Sequence, residues 1–527
     1  MIIHWMAKTD VDECSGKIQA DIGATHIHAN LTGVIESVKA VVDINVKNSE
    51  TVFMNGFQTW THCPLYKKKD KIRGVHGIPR AIIEKYSFDR YGDYHFVSYP
   101  NQRGILHGFS YCWFRQGEFY RLFASLDEKP GYTMFCYDAS QDVLVIERDC
   151  ADVKCNGEYP LLDLFYAEGS EDHVFDAWFE AMGIKPRTTQ KLFGYSSWYN
   201  RYQNISEDTI LADLEGCSRI FEKGDLFQVD DGWEPYVGDW LACDEKKFPN
   251  GMKNVCDQIH AAGYKAGLWL APFVAEEKSE LFSTHRDWFF MKDGKPWKDG
   301  CNWSGFYSLD IGNPEVIAYL EKVFDRVLNE WGFDLVKLDF LYGAAPFGNM
   351  TETRGGRMDR AMRLLRKWCG EKLILGCGVP VMSAFGLVDY CRIGCDVTLD
   401  WNDKVHMRLI HRERPSTKNA IDNIVSRSQL NGRAYLSDPD VFFLREDNLD
   451  LSHSCKRDLA MLDALAGGVF LMSDNAAGYD EEKVALYREM RRYTQAKEVH
   501  LKQPKGHVEA IFVLDGKEQR RCLSFSH

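Results

Sequence analysis

Lys337 and Asp339 stand two positions apart in the run 333-FDLVKLDFLYG-343, whose neighbours are apolar enough for a buried strand. The side-chain period of two in a strand turns both toward one face. One reading is structural: Asp339 starts a turn and Lys337 pairs with it. Burying such a pair gains little stability, because desolvation offsets most of the attraction. The chemical reading gives the lysine a task, since an ammonium beside Asp339 keeps the carboxyl ionised at neutral pH, and an anionic carboxylate is a nucleophile. A second carboxylate, Asp396, closes the run 388-VDYCRIGCD-396. Two carboxylates facing each other across a pocket are the minimum equipment for glycoside hydrolysis, one protonating the leaving oxygen and the other attacking the sugar or activating water.

Further polar and aromatic residues stand at the ends of similar apolar runs: Trp198 and Tyr199, Asp230 and Asp231, Trp269, Cys377, Arg392, Asp438 and Asp474. Taken singly, each has a structural role open to it. The tryptophans can be core aromatics, Asp230 a cap, Cys377 a small buried hydrophobe, Arg392 the ion-pair partner of an aspartate, and Asp438 and Asp474 turn or inter-strand links. Taken together they suit a sugar, whose C–H faces stack on tryptophan and whose hydroxyls bond to Asp, Arg and Lys. No histidine stands among them, so the chemistry is expected to need neither a metal nor an organic cofactor. Two alternatives stay open on the residues alone. One is a metal-dependent barrel using the same carboxylates as ligands; the other is a non-catalytic carbohydrate-binding barrel, which needs Trp198, Trp269 and Asp231 but neither Asp339 nor Asp396.

These ends have to be brought to one place. Eight short strands are expected at 192–198, 226–231, 264–272, 334–340, 373–378, 388–396, 434–440 and 469–474. Between them lie helix-like stretches, SEDTILADLEGCSRIFEK, NGMKNVCDQIHAAG and NPEVIAYLEKVFDRVLNEWG among them, the first with a serine cap signal and the last with Asn-Pro at its start. This alternation predicts an α/β catalytic (β/α)8 TIM barrel over 181–490, with a doubly wound open sheet as the alternative. In such a barrel chemistry sits at the C-terminal ends of the strands, where the residues named above fall. Over 1–180, alternating runs such as KIQADIGATHIHANLTG, VKAVVDINVKN and DVLVIERD predict an antiparallel β-sandwich domain. That pattern ends after Val153, and a helical stretch, DHVFDAWFEAMG, follows. VEAIFVLDG and RRCLSFSH predict a short C-terminal β segment over 491–527.

Composition narrows the partners. A chain of 527 residues, 45% hydrophobic, has ample material for a large core. Its net charge of -13 argues against a nucleic-acid partner, and the run Lys67-Lys68-Lys69 is too short to change that. No apolar run approaches the roughly 18 residues of a membrane span, and the opening MIIHWMAKTDVDEC has no export signal. Sixteen cysteines lie without a repeated CxxC frame or zinc-ligand spacing. Reduced thiols in the cytoplasm are the expectation.

The motifs GYSSWYNRY (194–202), FQVDDGWEPYVGDW (227–240), KAGLWLAPF (265–273), VKLDFLYG (336–343), ILGCGVP (374–380) and RIGCDVTLDW (392–401), preceded by NGFQTW (55–60), resemble the α-galactosidases of glycoside hydrolase family 36 in order and spacing. The resemblance runs from about 50 to 475. It implies an N-terminal β-supersandwich, a (β/α)8 barrel and a C-terminal β domain, the last shorter here than in many relatives. It also implies an exo-acting retaining mechanism on terminal α-galactosyl residues through a covalent glycosyl-enzyme, with Asp339 as nucleophile and Asp396, not Asp400, as acid/base. Substrate contacts are implied for Asp230, Asp231, Trp198, Tyr199, Trp269, Lys337, Cys377 and Arg392, with Trp60 lent by the sandwich. α-N-Acetylgalactosaminide hydrolysis and α-galactosyl transfer are activities of the same scaffold, and the residues do not choose the aglycone or an oligomeric state.

Overall fold

The computed structural model describes residues 1–73, 75, 77–90, 93, 100–409, 412–504 and 506–525. Its N-terminal part is an antiparallel sheet of ten strands folded into two layers. The strand Gly23–Asp43 belongs to both: residues 23–34 pair with Lys154–Gly169, and residues beyond Ile35 pair with Ile2–Thr9 and Val143–Arg148. Alternation decides the layers' faces. Val52 and Met54 of Thr51–Met54 join the cluster between the layers, with Val38, Val42, Phe135 and Ile146. Phe53 between them turns the other way, into the core shared with the barrel, where it stacks on Trp113 with ring centroids 5.3 Å apart. The layer carrying Thr51–Met54 is therefore covered on both faces.

The pattern that ends at Val153 in the sequence continues in space as the sixteen-residue strand Lys154–Gly169. Gly157 and Pro160 break its alternation, and Leu161–Phe165 is buried throughout, so a period of two is not written in it. The helix Glu171–Met182 then crosses to the barrel. Val174, Phe175, Trp178 and Phe179 form its buried stripe, and Trp178 touches Tyr111 of the sandwich at 5.2 Å and Phe385 of the barrel at 5.8 Å.

The eight expected barrel strands are all present and parallel: β1 Leu192–Ser196, β2 Leu226–Val229, β3 Lys265–Leu270, β4 Leu335–Leu338, β5 Leu373–Gly376, β6 Tyr390–Arg392, β7 Leu436–Asp438 and β8 Val469–Met472. They neighbour one another in chain order, with β8 beside β1. Strand β7 breaks at Pro439 and resumes at Val441–Phe442, which pairs with β8, so the ring closes through one interrupted strand. Proline removes a ladder donor, and Asp440 follows it with φ +89, so the chain kinks there. Full helices follow every strand except β5, namely α1 Glu207–Cys217, α2 Gly251–Ala261, α3 Pro314–Asp325, α4 Arg354–Cys369, α5 Thr417–Ser426, α6 His453–Ala466 and α7 Glu481–Tyr493. After β5 there is one turn, Val381–Ala384. The sandwich's 55–63 loop docks on this segment, with Gln58 bridging to Pro380 and the Thr59 amide donating to the Val379 carbonyl.

Three antiparallel strands, Lys497–Lys502, Val508–Leu514 and Lys517–Leu523, finish the chain. Among the described residues no helix is long and apolar enough to cross a membrane. All sixteen cysteines are free thiols. Of the lysine run, Lys68 is tied to Asp142 at 2.6 Å rather than left in solvent.

Candidate active site

The strand ends surround a cavity of about 420 Å³, lined by Asp230 and Asp231 after β2, Trp269 of β3, Lys337 of β4 and Asp339 just after it, and Asp396 after β6. Trp198 after β1 and Trp60 from the sandwich complete the wall. Eight of the eleven residues implied in catalysis or substrate contact thus line one pocket. The other three, Tyr199, Cys377 and Arg392, lie buried behind it.

Lys337 does not pair directly with Asp339. Its ammonium donates to Asp230 Oδ2 at 2.8 Å, and Gln228 Nε2 donates to the same oxygen at 2.7 Å. Burial works against the charged lysine, but Asp230, Cys377 and Asp339 outweigh it and hold its pKa above the ordinary value. Asp339 is a correction to the simple ion-pair expectation: burial lifts its carboxyl above the usual range, and Lys337, the Trp269 indole and the Cys377 thiol only pull it partway back. Trp269 Nε1–H donates to Asp339 Oδ2 at 3.0 Å and the Phe340 amide to Oδ1 at 3.1 Å. Both oxygens are thus fixed in direction. Phe340 takes φ +52, a costly conformation for a bulky residue, and such strain is typical of functional turns.

Asp231 faces Asp230 from the next position. Its Oδ2 accepts from Gln203 at 3.0 Å and from the Trp303 indole at 2.9 Å. Burial raises its pKa, and burial together with the Asp231 charge pushes that of Glu234 well above the usual carboxylate range. On the other wall, Arg392 reaches Asp396 at 2.7 Å and Asp440 at 2.6 Å. Asp440 Oδ2 also accepts from the Tyr199 hydroxyl at 2.6 Å and the Val397 amide at 2.8 Å. Tyr199 therefore acts on the pocket through a carboxylate that the sequence did not single out, while Arg392 reaches both that carboxylate and Asp396 itself. Burial pushes Asp440 up to about 7 against the pull of Arg392.

Trp60 is held at the pocket by Cys377, whose Sγ accepts from the indole N–H at 3.0 Å, and by edge contacts with Phe340 at 4.8 Å. Burial keeps the Cys377 thiol protonated. Behind Trp60, the Arg427 guanidinium donates to the Thr59 carbonyl at 2.7 Å and to the Ile393 carbonyl at 2.9 Å, joining the sandwich loop to β6.

Asp400 lies outside the pocket. It lines an adjoining groove of about 720 Å³ with Tyr202, Asn402, Lys404 and Asn448, and Met407 and Pro415 belong to both hollows. Of the remaining strand-end aspartates, Asp474 is structural, accepting from the Leu444 and Arg445 amides and the Tyr479 hydroxyl. Asp438 accepts from the Asp440 amide at 2.9 Å. Sequence reasoning missed Trp303, Asn302, Gln203, Phe340, Cys395, Met407, Glu413 and Pro415 in the pocket wall. Trp303 sits in an excursion of short strands after β3, where only the aromatic-rich NWSGFYS gave a signal.

Residues 192–363 match the melibiase family. The chain is 30% identical over 151 residues to an α-galactosidase of Escherichia coli, a stretch covering 27% of this chain and 20% of that protein. It is 36% identical over 148 residues to an A type blood α-D-galactosamine galactosaminidase of Flavonifractor plautii, covering 26% and 14%. The aligned stretches thus span a fifth or less of these curated relatives. Likeness to solved structures is broader. The α-galactosidase TtGalA from Thermus thermophilus, in complex with p-nitrophenyl α-D-galactopyranoside, superposes with TM-score 0.74 at 26% identity, over 94% of this chain and 98% of that one. The family 36 α-galactosidase AgaA from Geobacillus stearothermophilus shares the fold, with TM-score 0.60 at 14% identity over 95% and 71%. The chain thus carries a melibiase segment across the first half of its barrel and is similar over nearly its whole length to a solved α-galactosidase.

Proposed function

We propose that the protein is a retaining exo-α-galactosidase that releases terminal α-D-galactosyl residues from oligosaccharides or glycoconjugates. The observation that carries this reading is the meeting of Asp339 and Asp396 in one pocket walled by Trp60, Trp198, Trp269 and Trp303. Asp339 attacks the anomeric carbon while Asp396 gives its proton to the departing oxygen. The bond to the aglycone breaks, and a glycosyl ester forms on Asp339. Asp396, now the base, takes a proton from water, which opens the ester and restores both carboxyls. The Trp269 and Phe340 N–H groups aim the Asp339 oxygens, and Asp230, Asp231 and Lys337 hold sugar hydroxyls. The adjoining groove takes the rest of the saccharide.

The roles separate chemically. With Asp339→Gly, azide attacks the substrate directly and yields the β-glycosyl azide. With Asp396→Ala, a nitrophenyl substrate still loads the enzyme and azide releases the α-glycosyl azide; the loss, about 10²–10⁴-fold for poor leaving groups, shrinks for nitrophenolate. If Asp400→Ala shows that leaving-group dependence instead, the acid/base is misassigned.

A second reading is hydrolysis of a galactoside that carries nitrogen at C2, α-N-acetylgalactosaminide included; the likeness to a galactosaminidase named for α-D-galactosamine supports the amino-sugar part of it. Comparing kcat/KM for aryl α-galactoside, α-N-acetylgalactosaminide, α-glucoside and α-arabinopyranoside decides between them. Sixteen free thiols support a reducing compartment, so we place the protein in the cytoplasm; fractionation of native cells tests this.

A further inference from the structure

The sandwich carries a cluster of ligating side chains that the barrel chemistry does not use. Along Gly23–Asp43, Thr25 and Ile27 are buried while His26 and His28 face solvent, as the period of two in a strand with one wet face requires. The neighbouring strand Lys154–Gly169 is antiparallel, and its register shifts by one residue between Pro160 and Leu162. That extra residue brings Asp163, rather than Leu162, opposite His26. Asp163 Oδ1 then lies 2.7 Å from His26 Nδ1, while its Oδ2 accepts from the buried Arg148 guanidinium at 3.3 Å, which fixes the carboxylate. His28 stands on the same face two residues along, and one donor atom from each of His26, His28 and Asp163 lies within 4.8 Å of the others. Glu158 Oε1 approaches His28 Nδ1 to 3.7 Å at the rim.

We propose that His26, His28 and Asp163 form a binding site for a divalent transition-metal ion of the chemistry of zinc. Two imidazoles and one carboxylate are a donor set that zinc accepts at bond lengths of about 2.0–2.2 Å. Calcium and magnesium take oxygen shells instead. The carboxylate is already held by Arg148, so only the two exposed imidazoles have to rotate to close on the ion; water fills its outer positions. The ion would tie the two longest strands of the sandwich together, and one of them runs through both layers. Its effect is on the stability of the sandwich and not on the reaction in the barrel.

Chelator-treated protein titrated with zinc chloride in a calorimeter is expected to bind one more ion per chain than the double variant His26→Ala/His28→Ala. Zinc should raise the Tm of the wild type and leave that of the variant in place. Both side chains face solvent, and an unchanged far-UV circular dichroism spectrum checks that the variant is folded. The single variant His28→Gln keeps the His26–Asp163 contact and should still lose the extra ion. Free thiols are the competing ligands, and cobalt(II) in place of zinc separates them: thiolate ligation gives intense charge-transfer absorption, imidazole and carboxylate do not. Equal zinc stoichiometry in wild type and both variants overturns the proposal, as does a cobalt spectrum dominated by thiolate bands that the variants retain.

Discussion

At the scale of single residues the site is a set of buried carboxyls, each held by named donors. Asp230 is the ion-pair partner of Lys337 at 2.8 Å. Lys337→Met should leave the buried Asp230 with the Gln228 amide but without its cation, costing up to about 3–5 kcal/mol, as chemical denaturation will read. Glu413, in the pocket wall beside Gln58, is pushed up to about 8 by burial, with only the Gln58 amide opposing. The sign follows from linkage. A carboxyl raised in the folded state favours folding in its protonated form, a contribution complete below its ordinary value near 4.5 and lost as pH rises toward 8. Glu413→Gln keeps the contact without the titration, so the variant should lose less stability than the wild type between pH 5 and pH 8, by up to a few kcal/mol. Parallel slopes in denaturation at the two pH values would sink this account. Asp440 binds Arg392, Tyr199 and the Val397 amide at once. Asp440→Asn should shift the pH profile of kcat, because Arg392, which holds Asp396, loses its second anion; a drop in kcat with an unmoved profile would mark Asp440 as merely structural.

At the scale of elements, the pocket depends on two that do not belong to the regular barrel. The 55–63 loop of the sandwich delivers Trp60, and its anchor is Arg427, buried at the end of α5 with donors to Asn55, Gln58, Thr59 and Ile393. Cutting that guanidinium back in Arg427→Met removes several charge-assisted bonds, each worth about 1.5–3 kcal/mol. The expected result is a lower denaturation midpoint together with a raised KM, since the tryptophan wall loosens. The second element is the reduced β5–β6 connection, where one turn replaces a helix and makes room for this loop.

At the scale of the whole molecule, the two domains meet through a single continuous core in which sandwich aromatics such as Trp113 and barrel strands share one cluster. The interdigitation predicts cooperative loss: unfolding followed by near-UV signal and by catalytic activity should coincide, because the pocket cannot keep Trp60 once the sandwich opens. Catalysis by two carboxylates needs no ion, so extensive EDTA treatment should leave kcat in place. Activity abolished by EDTA and restored by a divalent ion would replace the nucleophile–acid mechanism with a metal-dependent one.

The sequence by itself determined the eight barrel strands and the strand-end residues that line the pocket. Apolar runs bounded by turn residues are a local signal, and in a parallel barrel the C-terminal ends of all strands share one rim, so Asp230, Trp269, Asp339 and Asp396 converge once the strand order is known. Trp60 was legible only through the family resemblance, because nothing local says that a sandwich loop enters a barrel. What tertiary structure decided was partnership. Lys337 reaches across β3 to Asp230 rather than along its own strand to Asp339. Asp440 gathers β1, β6 and β7 through one carboxylate. Trp303 reaches Asp231 from a loop with no period of its own, and in Lys154–Gly169 the stretch Leu161–Phe165 is buried throughout, which erases the alternation that would have announced the strand. Each of these depends on which chain segments pack together, a long-range fact that no window of sequence contains.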